Sequence, residues 1–191
     1  MLVSDDTPWL TPDQLRVWMH VAGVVMTLPQ ALDAQLKRGA GLNLYEYSIL
    51  VGLARAPGRS RQLCELAQMA YGSQSRLSHA VSRMEKQGWV TRRDAGGKGH
   101  VEAVMTEAGY AKLTEAAPDH VREVRRLIID VLTPEQLEQF GSICRSLLAV
   151  SSPQVPATLD GALTALMTGA AAAGERSELA GDGSDRDAAC Q

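Results

Sequence analysis

The sequence predicts a mainly α-helical protein with a small β-hairpin wing, that is, a winged helix-turn-helix fold. Three observations support this prediction. Apolar residues recur at helical spacing in several segments, and most of these segments open with a helix cap. Two short β-type runs flank a Gly-rich tip around residue 96. The chain has 191 residues, 45% of them apolar, which is enough for one compact core.

Capping sequences define the first two predicted helices. Thr11 is followed by Pro, Asp and Gln, a capping box with Pro at the first helical position. Pro29 predicts a kink in this helix, and Gly41 lies where it should end. Asn43 predicts the start of a second helix, with Glu46 three residues on as its capping partner.

The next two helices are predicted to form a helix-turn-helix. Ser60 is the predicted start of a short third helix, in which Cys64 is expected to be a small buried thiol. Ser73 is the predicted cap of a fourth helix, which runs to Gln87 and ends at Gly88.

The fourth predicted helix has an apolar side and a side rich in hydrogen-bonding groups. At about 100° per residue, Leu77, Val81 and Met84 point toward the core. An ordinary surface helix would carry Glu/Lys pairs four residues apart. Here hydroxyls, an amide, an imidazole and guanidiniums accumulate instead, and these groups contact phosphates or base edges in a major groove. The predicted DNA-contacting residues of this helix are Ser73, Gln74, Ser75, Arg76, Ser78, His79, Ser82 and Arg83. For His79 the alternative is a histidine merely tolerated on the surface.

A hairpin is predicted directly after the fourth helix. Two β-type runs, Trp89 to Arg93 and His100 to Met105, surround its Gly-rich tip. Arg92, Arg93 and Lys98 make it basic, which is typical of a wing that contacts DNA.

Charge is distributed unevenly along the chain. The whole chain carries −3 at pH 7, but between Arg59 and His100 eight basic side chains face three acidic ones, a net charge of +5, and the remainder carries −8. A basic footprint in an acidic protein is typical of a DNA-binding segment. The alternative is a solvated basic face.

Two helices and a tail are predicted after the hairpin. Thr106 begins a long helix in which Pro118 favours a kink or a break. Thr133 repeats the capping device of the N-terminus and begins a last helix, which ends near Ser151. The composition then becomes Ala/Gly-rich and acidic, so residues 151–191 are expected to form a disordered tail.

The sequence argues against several other classes of function. No run reaches the roughly 20 apolar residues of a membrane span, and no signal peptide pattern opens the chain, so we expect a cytoplasmic protein with no membrane partner. Cys64, Cys144 and Cys190 form no CxxC pair and the histidines share no metal-ligand spacing, so neither a metal nor another cofactor is expected. No nucleophile–base pattern or phosphate-binding loop is present, which argues against an enzyme. A redox switch through Cys64 or Cys190 is a remote alternative.

Four segments carry a resemblance to a known family. They are Gly41 to Tyr47, Ser73 to His79, Met84 to Val90 and Val104 to Gly109. Together they resemble the MarR family of bacterial transcriptional regulators, over roughly residues 12–150. The resemblance implies a sequence-specific DNA-binding regulator, more specifically a repressor, that binds a pseudo-palindromic operator in double-stranded DNA as a homodimer.

The resemblance also implies a division of the chain. Residues 1–10 are an N-terminal arm. The helix of residues 11–40 and the helices of residues 106–150 interlock in the dimer, and residues 41–105 form the DNA-binding lobe. Residues 151–191 remain outside this core as the tail.

Further roles follow from position in the family pattern. Arg59 and Arg61 lie near the DNA backbone, and Arg92, Arg93 and Lys98 belong to the wing. Relatives usually carry an Arg at the wing tip that enters the minor groove, whereas this chain has Lys98 between glycines, and Lys lacks the planar guanidinium that suits narrow grooves. The alternative function is therefore a ligand- or protein-interaction dimer of the same fold that has lost operator binding through its wing.

The resemblance finally implies control by a small phenolic or anionic effector, lodged between the dimer helices and the DNA-binding lobe. Trp18, His20, Tyr45 and Tyr47 are the candidate pocket residues. For the three aromatic residues among them, the alternative is core or interface packing.

Overall fold

A computed structural model describes residues 7–69, 73–94 and 101–153 as helices around a three-stranded antiparallel sheet. The predicted tail from residue 154 on lies outside these described residues. A 3-10 turn, Pro57–Arg59, precedes the first strand, and a π-helical segment, Arg125–Ile129, follows the fifth α-helix. The elements are α1 (Pro12–Ala40), α2 (Leu44–Ala54), β1 (Ser60–Gln62), α3 (Leu63–Met69), α4 (Gln74–Lys86), β2 (Val90–Asp94), β3 (Val101–Met105), α5 (Glu107–Val124) and α6 (Pro134–Ser151).

The predicted helix caps are present. Thr11, Asn43 and Thr133 each form a capping box with the side chain three residues on. Gly41 and Gly88 adopt positive φ angles of 65° and 73° directly after α1 and near the end of α4, a conformation that glycine adopts at little cost. Local chemistry therefore sets where these helices begin and end.

The predicted start of the third helix is wrong. Ser60–Gln62 form strand β1, which pairs with β3 in the sheet order β1-β3-β2, and α3 begins only at Leu63. The pairing with β3 satisfies backbone groups that a helix would otherwise bond locally. Cys64 is exposed, so its predicted burial is also wrong: the inward side of α3 is occupied by Leu66 and Ala67.

The prolines do not break their helices. α1 continues through Pro29 to Ala40, as predicted, and α5 continues through Pro118, so a break there is not formed. One proline removes one backbone hydrogen bond from a helix. α1 and α5 pack along each other, and this tertiary contact offsets that loss.

The core lies around α2, which is buried on nearly all sides. It packs against the inward faces of α3, α4 and α5 and against the sheet. The largest fully buried side chains are Leu36, Leu42, Ile49, Leu50, Leu53, Leu66, Leu77, Met84, Val81 and Val90. In the described ranges, no helix is long and apolar enough to cross a membrane.

Large apolar side chains of α1 and α6 lie outside this core. Trp18, Val25 and Met26 on α1 are 54%, 65% and 67% exposed, and Ile143 and Leu147 on α6 are 56% and 57% exposed. A monomeric soluble protein rarely exposes apolar side chains in such numbers on two helices. These faces are therefore candidates for contact with another chain.

His120 joins three helices at the boundary between the lobe and the long helices. Its ring lies 4.4 Å from the ring of Tyr47 on α2, and its Nδ1 is 3.4 Å from Oε1 of Gln35 on α1. Burial lowers the pKa of His120 below its ordinary value of 6.5. Burial in this junction therefore favours the neutral form of the imidazole.

His120 should make the folded state less stable in mild acid. Because its pKa is lowered in the folded state, the unfolded chain takes up the proton first as the pH falls through 6.5. Urea unfolding measures the free energy of unfolding at about pH 7.5 and at about pH 5. Between these two pH values, the wild type should lose more of this free energy than His120→Gln. The carboxyls whose pKa is lowered have ordinary values of 3.8 (Asp33) and 4.5 (Glu102, Glu123 and Glu135), and they lose their contribution only in stronger acid. Equal losses in both proteins would contradict the prediction.

Candidate nucleic-acid interface

α4 is anchored on the core by one face. Leu77, Val81 and Met84 are at most 1% exposed. The Ser73 hydroxyl caps the helix by accepting a hydrogen bond from the backbone N–H of Arg76. The predicted orientation of this helix is confirmed, and its opposite face lies in solvent.

The solvent side of α4 carries a ridge formed by Ser75, His79 and Lys86, which we call the reading ridge. At about 100° per residue, the three positions lie within about 40° of one another around the helix. All three side chains are exposed, and none bonds to a side chain of the described part of the molecule. Gln74 and Ser78, elsewhere on α4, are also exposed. The ridge therefore offers hydroxyl, imidazole and ammonium groups to an outside partner.

One flank of α4 is bound by α2. The guanidinium of Arg76 lies over the ring of Tyr45, 4.2 Å from its centroid. Arg83 donates from Nε to Oε1 of the buried Glu46 at 2.9 Å, and its Nη2 lies 2.8 Å from the same oxygen in an ion pair. Two arginines predicted to contact DNA thus each have a partner inside the protein.

The other flank of α4 is bound by the wing strand β2. Arg92 forms an ion pair with Glu85 through Nη1, and its backbone N–H donates to the same carboxylate at 3.1 Å. Its Nη2 donates to the backbone carbonyl of Ser78 and to the hydroxyl of Ser82, both at 3.1 Å. Arg92 therefore fixes the angle between the wing and α4.

A smaller network joins the three strands at the base of the wing. Arg93 donates to Oε2 of Glu102 at 2.6 Å, and the Ser60 hydroxyl donates to the same oxygen at 2.8 Å. These hydrogen bonds, that of Arg93 first, hold the pKa of Glu102 below its usual value. The wing tip, with Lys98, lies outside the described residues.

Arg59 and Arg61 are bound to neighbouring elements. Arg59, at a φ of 52°, donates to Oε1 of Glu107 at 2.8 Å, and its guanidinium lies 3.9 Å from the ring centroid of Tyr110. The Nη1 of Arg61 is 3.6 Å from a carboxylate oxygen of Glu65. Both arginines lie at the start of β1, at the edge of the lobe.

A cavity of about 830 Å³ lies between α1, α2 and α4. Its charged lining residues are Asp33, Lys37, Arg76 and Arg83, so positive groups predominate. Asp33 accepts a hydrogen bond from the N–H of Leu44 and pairs with Lys37, and the bond with Lys37 is the main cause of its lowered pKa.

The four predicted pocket residues are not brought together by this cavity. Tyr45 lines it, whereas Trp18, His20 and Tyr47 do not. Tyr47 is buried against His120, and Trp18 and His20 are exposed on the first half of α1.

Tyr45→Phe should raise the free energy of unfolding by about 1 kcal/mol, since a buried hydroxyl without a hydrogen bond is costly. The Tyr45 hydroxyl is buried and has no hydrogen-bond partner among the described residues, and burial raises the pKa of this phenol. Urea unfolding of the two proteins measures the difference. A less stable Tyr45→Phe protein would show that the hydroxyl is bonded in solution.

Sequence reasoning missed the second role of Glu46. The capping pattern predicts its bond to the N–H of Asn43, which is present at 3.1 Å, but gives no sign of Arg83 on another helix. One signal was available: Glu46 stands in a helix whose other residues are almost all apolar, and a buried carboxylate requires a cationic partner.

Comparisons with known proteins identify the fold. Neither a family profile nor a curated protein sequence matches the chain. Among solved structures, Sco3205 from Streptomyces coelicolor, a MarR family transcriptional regulator in complex with DNA, is 40% identical, with a TM-score of 0.74 over 80% of this chain and 96% of its own. The chain belongs to the MarR family.

Other solved structures agree with this assignment. AbsC, a MarR family transcriptional regulator from Streptomyces coelicolor, is 34% identical, with a TM-score of 0.70 over 74% of this chain and 95% of its own. The organohalide-sensing regulator RdhR-CbdbA1625, in its 2,4-dichlorophenol-bound form, shares the fold at 21% identity, with a TM-score of 0.64 over 81% and 92% of the two chains.

Membership in the MarR family confirms the predicted winged helix-turn-helix fold and defines the class of function. The chain is a DNA-binding transcriptional regulator rather than an enzyme. Within the described residues, no group of three or more His, Cys, Asp or Glu side chains is arranged to hold a metal ion.

Proposed function

We propose that this MarR family protein is a homodimeric repressor that binds a pseudo-palindromic operator. The reading ridge of Ser75, His79 and Lys86 carries the proposal, because these polar side chains stand in solvent on a rigidly held helix. Inserted in a major groove, they donate to base edges and phosphates. The two recognition helices of a dimer enter successive major grooves, and the wings with Lys98 lie at the flanks.

The exposed apolar faces of α1 and α6 support the dimer. Trp18 and Val25 on α1 and Leu147 on α6 are each more than half exposed in the single chain. Burying them against a second copy removes apolar surface from water and fixes the spacing of the two α4 helices.

The cavity between α1, α2 and α4 supports control by a small anionic or phenolic effector. Lys37, Arg76 and Arg83 line it together with Tyr45, so an anion finds positive charge and an aromatic wall. A phenol, 2,4-dichlorophenol, is bound by a regulator of the same fold. An effector at this place contacts α4 directly and changes its freedom to enter the groove.

A gel shift with DNA from around the protein's own gene tests the proposal. We expect retention of a specific fragment that weakens steeply with salt, because phosphate contacts release counterions. Competition by unlabelled duplexes with and without the specific sequence separates operator binding from sequence-independent electrostatic binding to DNA. If no fragment is retained at low salt, the alternative of an interaction dimer without operator binding replaces the repressor.

A further inference from the structure

Two consecutive residues at the start of α2 hold two arginines of the recognition helix. Tyr45 stacks under Arg76, and Glu46 pairs with Arg83. Arg76 and Arg83 are seven residues apart, about 10 Å along α4, and lie on the same side of it. Residues 45 and 46 of α2 thus contact α4 at two points that are two turns apart, one by an aromatic contact and one by an ion pair.

Both holding residues are themselves fixed. Glu46 is 7% exposed, and its second carboxylate oxygen accepts from the N–H of Asn43 in the capping box of α2. Tyr45 is 8% exposed and belongs to the hydrophobic core. Their positions follow the backbone of α2, so the guanidiniums that they touch are ordered before any DNA is bound.

The held arginines lie off the reading ridge. Around α4, Arg76 and Arg83 lie about 80° and 60° from the middle of the ridge, on the side of α2, and Arg92 binds the opposite side. The Nε–Nη2 edge of Arg83 is committed to Glu46, and this is one of the edges with which a guanidinium binds guanine bidentately. A helix seated in a major groove turns its flanks toward the groove walls, which are phosphates.

We infer that Tyr45 and Glu46 are positioning residues for DNA binding, which hold Arg76 and Arg83 against the phosphate backbone and leave base discrimination to the reading ridge. The inference rests on the proposed function, since it assumes operator binding. It assigns Arg83 to a phosphate contact, where the sequence left base edges and phosphates open. It also assigns a role in DNA binding to two residues that touch no DNA, because an arginine already ordered loses less side-chain entropy on binding.

Selection from a library of randomised duplexes gives the probe. The duplex enriched by the wild-type protein and a duplex with scrambled half-sites are then titrated over a range of salt, with each variant checked for folding and oligomeric state. If the wild type enriches no site, the proposed function fails and the inference with it. If it enriches a site, the variants decide the inference alone.

A variant of a held arginine should change overall DNA affinity, whereas a variant of the reading ridge should change base preference. Arg83→Ala should weaken binding to both duplexes by a similar factor and lower the salt slope by about two units per dimer, with unchanged base preference in a repeated selection. His79→Ala should relax the preference at one position of each half-site. If Arg83→Ala relaxes base preference at one position, the inference is overturned.

Substitutions of Tyr45 and Glu46, the residues that hold the two arginines, should change DNA affinity only through those arginines. Tyr45→Leu should weaken binding about fivefold, whereas Tyr45→Phe, which keeps the ring, should bind like the wild type. Glu46→Gln keeps a side chain that can cap α2 but removes the negative charge. The effect of this substitution on DNA affinity should vanish when it is made in the Arg83→Ala protein. Glu115→Gln, a matched change of an exposed carboxylate that pairs with Lys112 on α5, should have no effect.

The opposite results overturn the inference. An effect of Glu46→Gln that is as large in the Arg83→Ala protein as in the wild type shows that the carboxylate acts by its charge on DNA. Wild-type affinity in Tyr45→Leu shows that the stack does not serve binding. If Glu46→Gln does not fold, the comparison of Tyr45→Leu with Tyr45→Phe and the Arg83→Ala variant, at an exposed position, still decide whether the inference holds.

Discussion

Gly109→Ala should lower the free energy of unfolding by at least about 2 kcal/mol, the cost of inserting an atom into a closely packed backbone contact. A Cβ atom at this position would lie 2.1 Å from the carbonyl oxygen of Trp89 and 2.9 Å from its carbonyl carbon. Both are backbone atoms, so no side-chain rotation relieves the clash. Either α5 or the segment after α4 has to move.

The movement should also weaken DNA binding, because Gly109 lies in the joint between α5 and the DNA-binding lobe. Thr106 donates from its backbone N–H to the carbonyl oxygen of Trp89 at 3.1 Å and from its hydroxyl to that of Gly88 at 2.6 Å. The same hydroxyl caps α5 by accepting from the N–H of Gly109. Displacing this turn shifts α4 and β2 together relative to the long helices.

Urea unfolding and binding to the selected duplex measure the two effects. Gly39→Ala is the control, since its Cβ would meet its nearest neighbour at an ordinary 3.5 Å within α1. That change should be neutral or stabilising by up to about 1 kcal/mol, because Ala favours helix. A Gly109→Ala protein as stable as Gly39→Ala would show that the joint is more compliant than the structure indicates.

The parts of this fold that the sequence predicts are those set by local chemistry. Thr11, Asn43 and Thr133 satisfy helix N–H groups through side chains three residues away or fewer, and this pattern is visible in one dimension. The seating of α4 follows from the period of Leu77 and Val81. These capped helix ends and the orientation of α4 were therefore predictable, whereas the start of α3 was not.

The parts that escape prediction depend on pairs distant in sequence. β1 is three residues long and is created by its register with β3, with Ser60 opposite Val104. The partners of Arg83 and Arg92 come from another helix and from across the turn between α4 and β2. From composition alone these arginines are free cations for DNA, whereas the structure shows each one bound to a carboxylate. Specificity therefore has to be sought on the reading ridge.

The largest functional effect is expected from separating the two copies. Ile143→Glu combined with Leu147→Glu places two charges on the exposed apolar side of α6, where the side chains are 56% and 57% exposed in the single chain. Burying unpaired carboxylates at an interface is costly enough to disrupt it. We expect a folded monomer by light scattering.

DNA affinity of this monomer should fall by a factor of about 100 or more, since two linked half-site contacts bind far more tightly than one. Ser142→Glu with Ala149→Glu is the matched control: it adds the same charge to exposed positions about 130° away around α6. The control should remain dimeric and bind like the wild type. If the Ile143/Leu147 variant stays dimeric, α6 does not form the interface, and α1 with Trp18 and Val25 has to supply it. If it becomes monomeric but keeps its affinity, a single recognition helix suffices, and the two-fold operator is excluded.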